Sequence, residues 1–193
     1  GERFVDEGED LRNLTYVRIG REIMAQPHRT CVQIFDQKTI EMLRDEYRIH
    51  QVTKVESDTI EGLAEELEID PEKLVKTVAE YNAACQPGDY NPAILDGVHT
   101  KGITPPKTNW ALPIDNPPYA GFITTTGITF TFGGLRINDD GAVQDVSERS
   151  IPGLFAAGEL VGGLFYGNYP GGSGLMAGSV FGKLALSLIH ISE

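Results

Sequence analysis

Residues that could do chemistry concentrate in one glycine-rich segment, Ile151–Lys183, which reads IPGLFAAGELVGGLFYGNYPGGSGLMAGSVFGK. Within it, the apolar run Gly153–Gly158 predicts a buried strand that ends just before Glu159. Ligands of open α/β sheets bind at the carboxyl ends of the strands, so Glu159 is a candidate ligand contact. The alternative for a lone glutamate after a strand is a solvated side chain or a turn cap.

The run Gly171–Gly174 is a second candidate, because an apolar stretch that predicts a helix from about Ser173 follows it directly. Unpaired N–H groups and the positive end of a helix dipole suit such a place to an anionic group. Gly174, Gly178 and Gly182 are four residues apart and form a smooth stripe on this helix. A stripe of this kind most often serves close packing, and otherwise contact with a flat cofactor ring.

Several other chemistries lack the spacing that they require. No lysine follows the glycines in the P-loop pattern, and Ser173 lies outside a G-x-S-x-G nucleophile frame. The four histidines form no ligand-spaced pair, so we predict no metal site. The net charge of −12 argues against a nucleic-acid partner, and no long uncharged apolar run predicts a membrane span.

The elements that must position these residues differ between the two halves of the 193-residue chain. Helical periodicity dominates the first half, glycines and β-branched residues dominate the second, and 7 of the 11 prolines lie in the connecting stretch 86–118. We therefore expect an α+β (mixed α/β) fold. The predicted helices are 39–48, 58–68 capped by Asp58, one beginning at Asp70-Pro71, and one from about Ser173; the predicted strands are 31–35, 122–126, 128–132 and 153–158.

Two motifs resemble a known family. The segment Gly153–Lys183, with AAGE-x-x-GG followed by N-Y-P-G-G-S-G, is similar to the C-terminal flavin-binding segment of the fumarate reductase/succinate dehydrogenase flavoprotein superfamily, and closest to its tricarballylate dehydrogenase branch. The opening GERFVDE resembles that superfamily's G-x-R-F-[VN]-[DN]-E motif. ITFTFGGLRIND resembles the stretch where the chain re-enters the flavin domain.

The resemblance implies FAD as cofactor and assigns its contacts. Glu159 matches the acidic residue that hydrogen-bonds a hydroxyl of the FAD sugar chain. Gly172, Ser173, Gly174 and Leu175 match the helix start whose N–H groups face N1 and O2 of the flavin, where reduced flavin is negatively charged. The remaining cofactor-binding positions implied by the resemblance are Gly158, Asn168 and Gly171.

The resemblance also implies roles near the substrate. Arg12 matches, across a one-residue gap, the arginine that exchanges a proton with the substrate of fumarate reductases. A surface arginine near Glu9 and Asp10 is the alternative. Tyr169 stands where those enzymes have an arginine and resembles the catalytic phenol of 3-ketosteroid dehydrogenases.

Three further positions depart from the fumarate reductase pattern. Phe165 stands in place of a histidine that grips substrate carboxylates, and Thr129 and Phe130 stand in place of two histidines near the re-entry strand. Fumarate itself is therefore a poor candidate substrate. Phe165, Tyr166 and Tyr169 either line a pocket over the flavin or simply pack together.

The implied architecture is a cap (substrate) domain at 1–118 and the C-terminal strands and helix of an FAD-binding Rossmann-like domain at 119–185. The G-x-G-x-x-G unit that holds the FAD pyrophosphate is absent from the sequence, so we expect a fragment that lacks the N-terminal dinucleotide-binding unit and is inactive alone. Residues 186–193, LSLIHISE, depart from the family and match the translation of a sequencing-library transposase adapter. We expect them to be a non-native tail.

The implied function is FAD-dependent dehydrogenation or reduction of a C–C bond in a small carboxylate, as in tricarballylate oxidation. The expected partners are that carboxylate and an electron-acceptor protein or quinone-linked carrier. The expected location is the cytoplasm. A 3-ketosteroid dehydrogenase-like enzyme that uses Tyr169, and a catalytically silent fragment or cofactor-free binding domain, remain as alternatives.

Overall fold

The computed structural model describes residues 1–189, so the last four residues of the predicted tail lie outside the described residues. The chain forms two compact units, Gly1–Thr126 and Gly127–Glu193. Helices and small sheets occur in both units, which confirms the mixed α/β class. The strand Tyr119–Thr125 belongs to the first unit, because it pairs with two other strands of that unit. The assignment of 1–118 to a cap domain and of 119–185 to a flavin-binding domain stays a prediction.

A three-stranded antiparallel sheet forms the centre of the first unit, in the order β1-β3-β2. Its strands are β1 (Thr30–Asp36), β2 (Lys54–Ser57) and β3 (Tyr119–Thr125). The register places Val32 opposite Ile123. The predicted strands at 31–35 and 122–126 are thus present, and β2 supplies the other edge of the sheet.

Four helices accompany this sheet: α1 (Arg12–Met24), α2 (Gln37–Ile40), α3 (Ile60–Glu66) and α4 (Pro71–Ala84). The cap of α4 is as predicted, because the Asp70 side chain accepts a hydrogen bond from the Lys73 N–H. The predicted cap Asp58 is wrong. Thr59 caps α3 instead and accepts from the Gly62 N–H. The predicted helix 39–48 is also wrong, since a turn separates α2 from a 3₁₀ segment, Asp45–Arg48.

Buried Ala64, Leu74 and Val78 form the apolar core between α3 and α4. The side chain of Ile34 packs against this core from β1, which joins the helices to the sheet. Burial of such side chains is the main favourable term in folding. Tyr81, one turn after Val78 on α4, is also buried and is 4% exposed.

The buried carboxylate of Asp36 anchors the end of β1 to the chain that leads into β3. Its Oδ1 accepts from the Lys38 N–H at 3.1 Å, and its Oδ2 accepts from the N–H groups of Asp115 and Asn116, each at 3.1 Å. The Lys38 Nζ lies 2.5 Å from Oδ2. Asp36 is 1% exposed, so these donors compensate for the loss of water around a charged group.

The opening motif GERFVDE is fastened to a distant loop of the same unit. The Arg3 guanidinium donates to the carbonyl oxygens of Pro105 at 2.6 Å and Pro106 at 3.0 Å. Just beyond the motif, the carbonyl of buried Gly8 accepts from the buried Asn109 side chain at 2.8 Å. Hydrogen bonds therefore hold the residues that precede α1 against this loop.

The second unit contains the antiparallel pair β4 (Ala142–Gln144) and β5 (Ser150–Phe155) and the long helix α5 (Ser173–Ile189). Val143, Ala156 and Val161 form its small buried core. The prediction of a buried strand before Glu159 is wrong: residues 150–154 of β5 are exposed, because β5 pairs only with β4 in the described part of the chain.

The predicted strand 128–132 is absent, since this stretch has no ladder partner among the described residues. Its backbone groups bond elsewhere. The Thr131 N–H donates to the Glu159 side chain at 3.2 Å, and the Phe132 carbonyl accepts from the Gly163 N–H at 3.1 Å. None of the helices within residues 1–189 combines the length and apolar character that crossing a bilayer requires.

Candidate functional site

Helix α5 begins in a loop whose shape depends on glycine. Gly172 has a φ of +83°, a left-handed conformation that side chains disfavour. The Ser173 hydroxyl donates to the Pro170 carbonyl at 2.6 Å, which fixes the loop to the first turn. The N–H groups of Gly174 and Leu175 belong to that turn, where an α-helix provides no internal acceptors. The arrangement can hold a negatively charged planar group.

The glycine stripe of α5 packs closely against its own unit. A Cβ added at Gly174 would lie 2.6 Å from Cε2 of Phe130, and one at Gly178 would lie 3.5 Å from the Gly158 α-carbon. At Gly182 the nearest atom would be the Ala157 Cβ, 3.9 Å away. Close packing thus explains the glycine at 174, whereas Cβ atoms at 178 and 182 would make only ordinary van der Waals contacts.

Four half-buried rings form an aromatic cluster beside the start of α5: Phe130, Phe132, Phe165 and Tyr169. The rings of Phe130 and Tyr169 are nearly stacked, with centroids 4.5 Å apart and an interplanar angle of 32°. The Phe165 ring lies 5.6 Å from Phe130, and Phe132 lies 6.1 Å from Tyr169. Contacts of this kind add to the energy of area burial.

The cluster brings together only some of the residues predicted near the substrate. Phe130, Phe165 and Tyr169 meet in it, whereas Thr129 is exposed and Tyr166 is 98% exposed. Asn168 contributes locally, because its side-chain oxygen accepts from the Tyr169 N–H at 2.8 Å. Among the predicted flavin contacts, Gly171 and Leu175 are exposed at the surface of the second unit.

Glu159 lies in a 3₁₀ turn, Gly158–Leu160, directly after the hairpin. Its Oε1 accepts from the Thr131 N–H at 3.2 Å, and the Thr131 hydroxyl donates to the Glu159 carbonyl at 3.4 Å. The carboxylate is thus partly a structural acceptor. Its Oε2 is the atom that can accept from a sugar hydroxyl.

The sequence did not predict that two glycine pairs, Gly133-Gly134 and Gly162-Gly163, cross each other in close backbone contact. The Leu135 N–H donates to the Leu160 carbonyl at 2.9 Å, and the Gly162 N–H donates back to Leu135 at 3.0 Å. A Cβ at Gly134 would lie 2.3 Å from the Leu160 carbonyl oxygen, so no side chain fits there. The pairs line an open groove of about 370 Å³. The repeated G-G dipeptides were the available signal for this crossing.

Arg12 belongs to the first unit, where it is the exposed first residue of α1. Burial raises the pKa of the neighbouring Tyr47 phenol, and the positive charge of Arg12 opposes that rise. The Tyr47 hydroxyl donates to the Gln33 side chain at 2.7 Å. Within residues 1–189, no three His, Cys, Asp or Glu side chains are grouped so as to hold a metal ion.

Comparison with known families shows which protein family the chain belongs to. The family model described as "FAD binding domain" matches residues 1–175, so the chain belongs to this family of flavoproteins. FAD is accordingly its cofactor, as predicted from the sequence. The predicted fumarate reductase/succinate dehydrogenase superfamily is confirmed as well, whereas the tricarballylate branch stays a prediction.

Two curated relatives differ in what their names say they act on. A probable fumarate reductase of Shewanella frigidimarina is 30% identical over 188 residues, which are 96% of this chain and 29% of that protein. The 4-oxocyclohex-2-ene-1-carboxylate 5-dehydrogenase of Sinomonas cyclohexanicum is 36% identical over 137 residues, 68% of this chain and 23% of that protein. The chain thus spans less than a third of either relative.

Two similar solved structures also belong to enzymes whose names give different substrates. A flavocytochrome c3 fumarate reductase in its open conformation has a TM-score of 0.67 at 29% identity, covering 87% of this chain and 28% of that one. A 3-ketosteroid delta1-dehydrogenase from Sterolibacterium denitrificans has a TM-score of 0.69 at 25% identity, covering 100% of this chain and 37% of that one.

Several glycines of the second unit leave bare backbone with open space beside it. Added Cβ atoms would meet nothing within 4 Å at, among others, Gly158, Gly163, Gly167, Gly171 and Gly172. Such bare backbone allows close approach of a flat ligand. These glycines, the first turn of α5 and the Glu159 carboxylate are the groups that would contact the flavin and its sugar chain.

Proposed function

We propose that this chain provides part of the active site of an FAD-dependent oxidoreductase that removes or adds two hydrogens across a C–C bond of a small carboxylate, with tricarballylate as the specific candidate. The observation that carries the proposal is the position of the aromatic cluster. Phe130 packs on Gly174 in the first turn of α5, the turn assigned to the flavin. The cluster therefore borders the place where a substrate would meet the flavin.

FAD, when bound, supplies the hydride chemistry at its N5 atom. The chain's own residues supply the rest. The first-turn N–H groups of α5 would stabilise negative charge on a bound flavin. The Arg12 guanidinium would donate the proton when a C=C bond is reduced, and its neutral guanidine form would accept the proton when the C=C bond forms; the hydride would come from or go to FAD. An electron-acceptor protein or quinone-linked carrier would then reoxidise the flavin.

A second candidate is dehydrogenation next to the carbonyl of a ring ketone, with the Tyr169 phenol assisting removal of the proton. Tyr169 favours it, because the phenol ring is part of the cluster and faces Phe130 at 4.5 Å. The relative that acts on 4-oxocyclohex-2-ene-1-carboxylate and the ketosteroid dehydrogenase structure support the same candidate. Phe130 and Phe165 suit an apolar ring better than a second carboxylate.

Anaerobic reduction of the flavin in an FAD-loaded full-length protein that contains this chain separates these candidates. Bleaching of the flavin by tricarballylate, but not by a 3-ketosteroid, supports the first; the opposite result supports the second. Tyr169→Phe should abolish only ketone oxidation, and Tyr166→Phe, at a neighbouring exposed tyrosine, is the matched control. A protein that retains FAD but is reduced by neither compound contradicts both candidates. Failure to retain FAD would favour the silent fragment or cofactor-free binding domain.

A further inference from the structure

Two hydrogen bonds join Glu159 and Thr131, which are 28 positions apart in the sequence. The Thr131 N–H donates to Oε1 of Glu159 at 3.2 Å, and the Thr131 hydroxyl donates to the Glu159 main-chain oxygen at 3.4 Å. The first bond ends on a carboxylate oxygen, which attracts an N–H donor more strongly than a neutral oxygen does. Thr131 is therefore fixed to the 3₁₀ turn that carries Glu159.

Thr131 stands between two members of the aromatic cluster, Phe130 and Phe132. This stretch belongs to no strand, so a β-ladder does not determine where the two rings lie. Besides the Thr131 contacts, the bond from the Gly163 N–H to the Phe132 carbonyl holds this backbone. Displacement of Thr131 would shift both flanking rings relative to Tyr169.

We propose that Glu159 is a positioning residue for the aromatic cluster, acting through the Thr131 N–H, and that it thereby helps to set which substrates the cluster admits. This role is separate from any contact between Glu159 and the sugar chain of FAD. It rests on the proposed function only where it treats the cluster as a substrate surface. The placement of the rings itself requires neither flavin nor substrate.

The ¹⁹F spectrum of the chain labelled with 3-fluorotyrosine tests the placement. The seven tyrosines give resonances that single Tyr→Phe replacements assign, Tyr169→Phe and Tyr166→Phe among them. Glu159→Ala removes the acceptor and should move the Tyr169 resonance towards that of exposed Tyr166. Glu159→Gln keeps a side-chain oxygen and should restore the original position.

Exchange of the Thr131 amide hydrogen with solvent gives a second readout. It should be slow in the parent chain and in Glu159→Gln, and fast in Glu159→Ala. Thr131→Ser, which keeps both donors, should leave the Tyr169 resonance unchanged, whereas Thr131→Pro, which lacks the N–H, should shift it as Glu159→Ala does. Unchanged resonances of the tyrosines in the first unit control for unfolding.

The inference is overturned if Glu159→Ala leaves both the Tyr169 resonance and the Thr131 exchange rate unchanged. It is also overturned if Glu159→Gln, in a folded protein, restores neither the Tyr169 resonance nor the slow exchange of the Thr131 amide. The negative charge of Glu159, and not its hydrogen bond to Thr131, would then explain the effect of Glu159→Ala. Both measurements use the chain without FAD. Absence of turnover would therefore count against the proposed function and leave this result intact.

Discussion

The edge of the Phe130 ring occupies the space beside Gly174, where an added Cβ would lie 2.6 Å from Cε2 and 3.2 Å from Cδ2 of the ring. This contact joins the irregular stretch before the glycine crossing to the first turn of α5. It also places the Phe130 ring between the helix start and Tyr169, whose ring centroid is 4.5 Å away. A glycine at position 174 is thus required by packing and not by backbone conformation.

Gly174→Ala should destabilise the second unit by about 1–3 kcal/mol, the usual cost of overpacking, because Phe130 must leave its place. The loss should appear as a lower urea midpoint of the helical circular dichroism signal. Gly171→Ala is the matched control, since its Cβ would meet nothing within 4 Å. Gly182→Ala should stabilise the helix by about 1 kcal/mol, since its Cβ would make only an ordinary contact. Equal midpoints for the alanine variants at 174 and 182 would contradict this packing.

The elements that the sequence predicted well are those with a local cause. Asp70 followed by proline determines the start of α4, and the apolar spacing of its core residues determines its buried face. Helix α5 begins at Ser173 as predicted, because glycines precede a continuous apolar run. Caps, breakers and periodicity lie within a few residues of the effect they produce.

The predictions were wrong where contacts between residues far apart in the sequence determine the local structure. Residues 128–132 have strand-forming side chains, but Glu159 and Gly163 take their backbone hydrogen bonds, and no local pattern indicates this. The aromatic cluster likewise combines rings more than 30 residues apart, so Phe132 was missed as its fourth member. At α3 the sequence indicated Asp58 as the cap, but the Thr59 side chain accepts from the Gly62 N–H and caps the helix instead.

Asp36→Asn should destabilise the first unit by about 1–3 kcal/mol, as expected when a buried hydrogen-bond donor loses its acceptor. An amide offers one oxygen where the carboxylate offers two, so the N–H groups of Asp115 and Asn116 or that of Lys38 lose their acceptor. Fluorescence of Trp110, the chain's single tryptophan, reports the urea midpoint. Asp115→Asn is the control, because that exposed carboxylate should contribute less than about 1 kcal/mol. A similar loss for both variants would show that burial of Asp36 is not the cause.

Alkaline pH should weaken the first unit through Tyr81. Burial, and after it the nearby Cys85 and Glu7, raise the pKa of this phenol above its ordinary value of 10.0. The unfolded state therefore loses the proton first, and the free energy of unfolding falls as the pH rises above 10.0. Burial also raises the pKa values of the Cys31 and Cys85 thiols, which add a fall of the same sign from 9.0 upward.

Tyr81→Phe should reduce the fall in stability above pH 10.0 and leave the parts caused by other groups, among them the thiols and the phenols of Tyr47 and Tyr90, whose pKa values burial also raises. Urea midpoints measured between about pH 8 and about pH 11 by Trp110 fluorescence would show it. Tyr166→Phe, at a phenol that is 98% exposed in the second unit, should change nothing. An unaltered slope in Tyr81→Phe would remove this phenol as the cause.

Arg12→Gln should lower kcat of the FAD-loaded protein by about 100-fold or more, because a positioned proton donor contributes 10²–10⁴-fold to a rate. Stability should not fall, since Arg12 is exposed at the start of α1, where a positive charge opposes the helix dipole. Arg21→Gln, at an exposed arginine in the last turn of the same helix, is the matched control for loss of charge. Arg12→Lys should not restore the rate, because an ammonium lacks the guanidinium's fork of donors. Normal turnover in Arg12→Gln, with the flavin still reduced by substrate, would make Arg12 the surface arginine that the sequence left as its alternative.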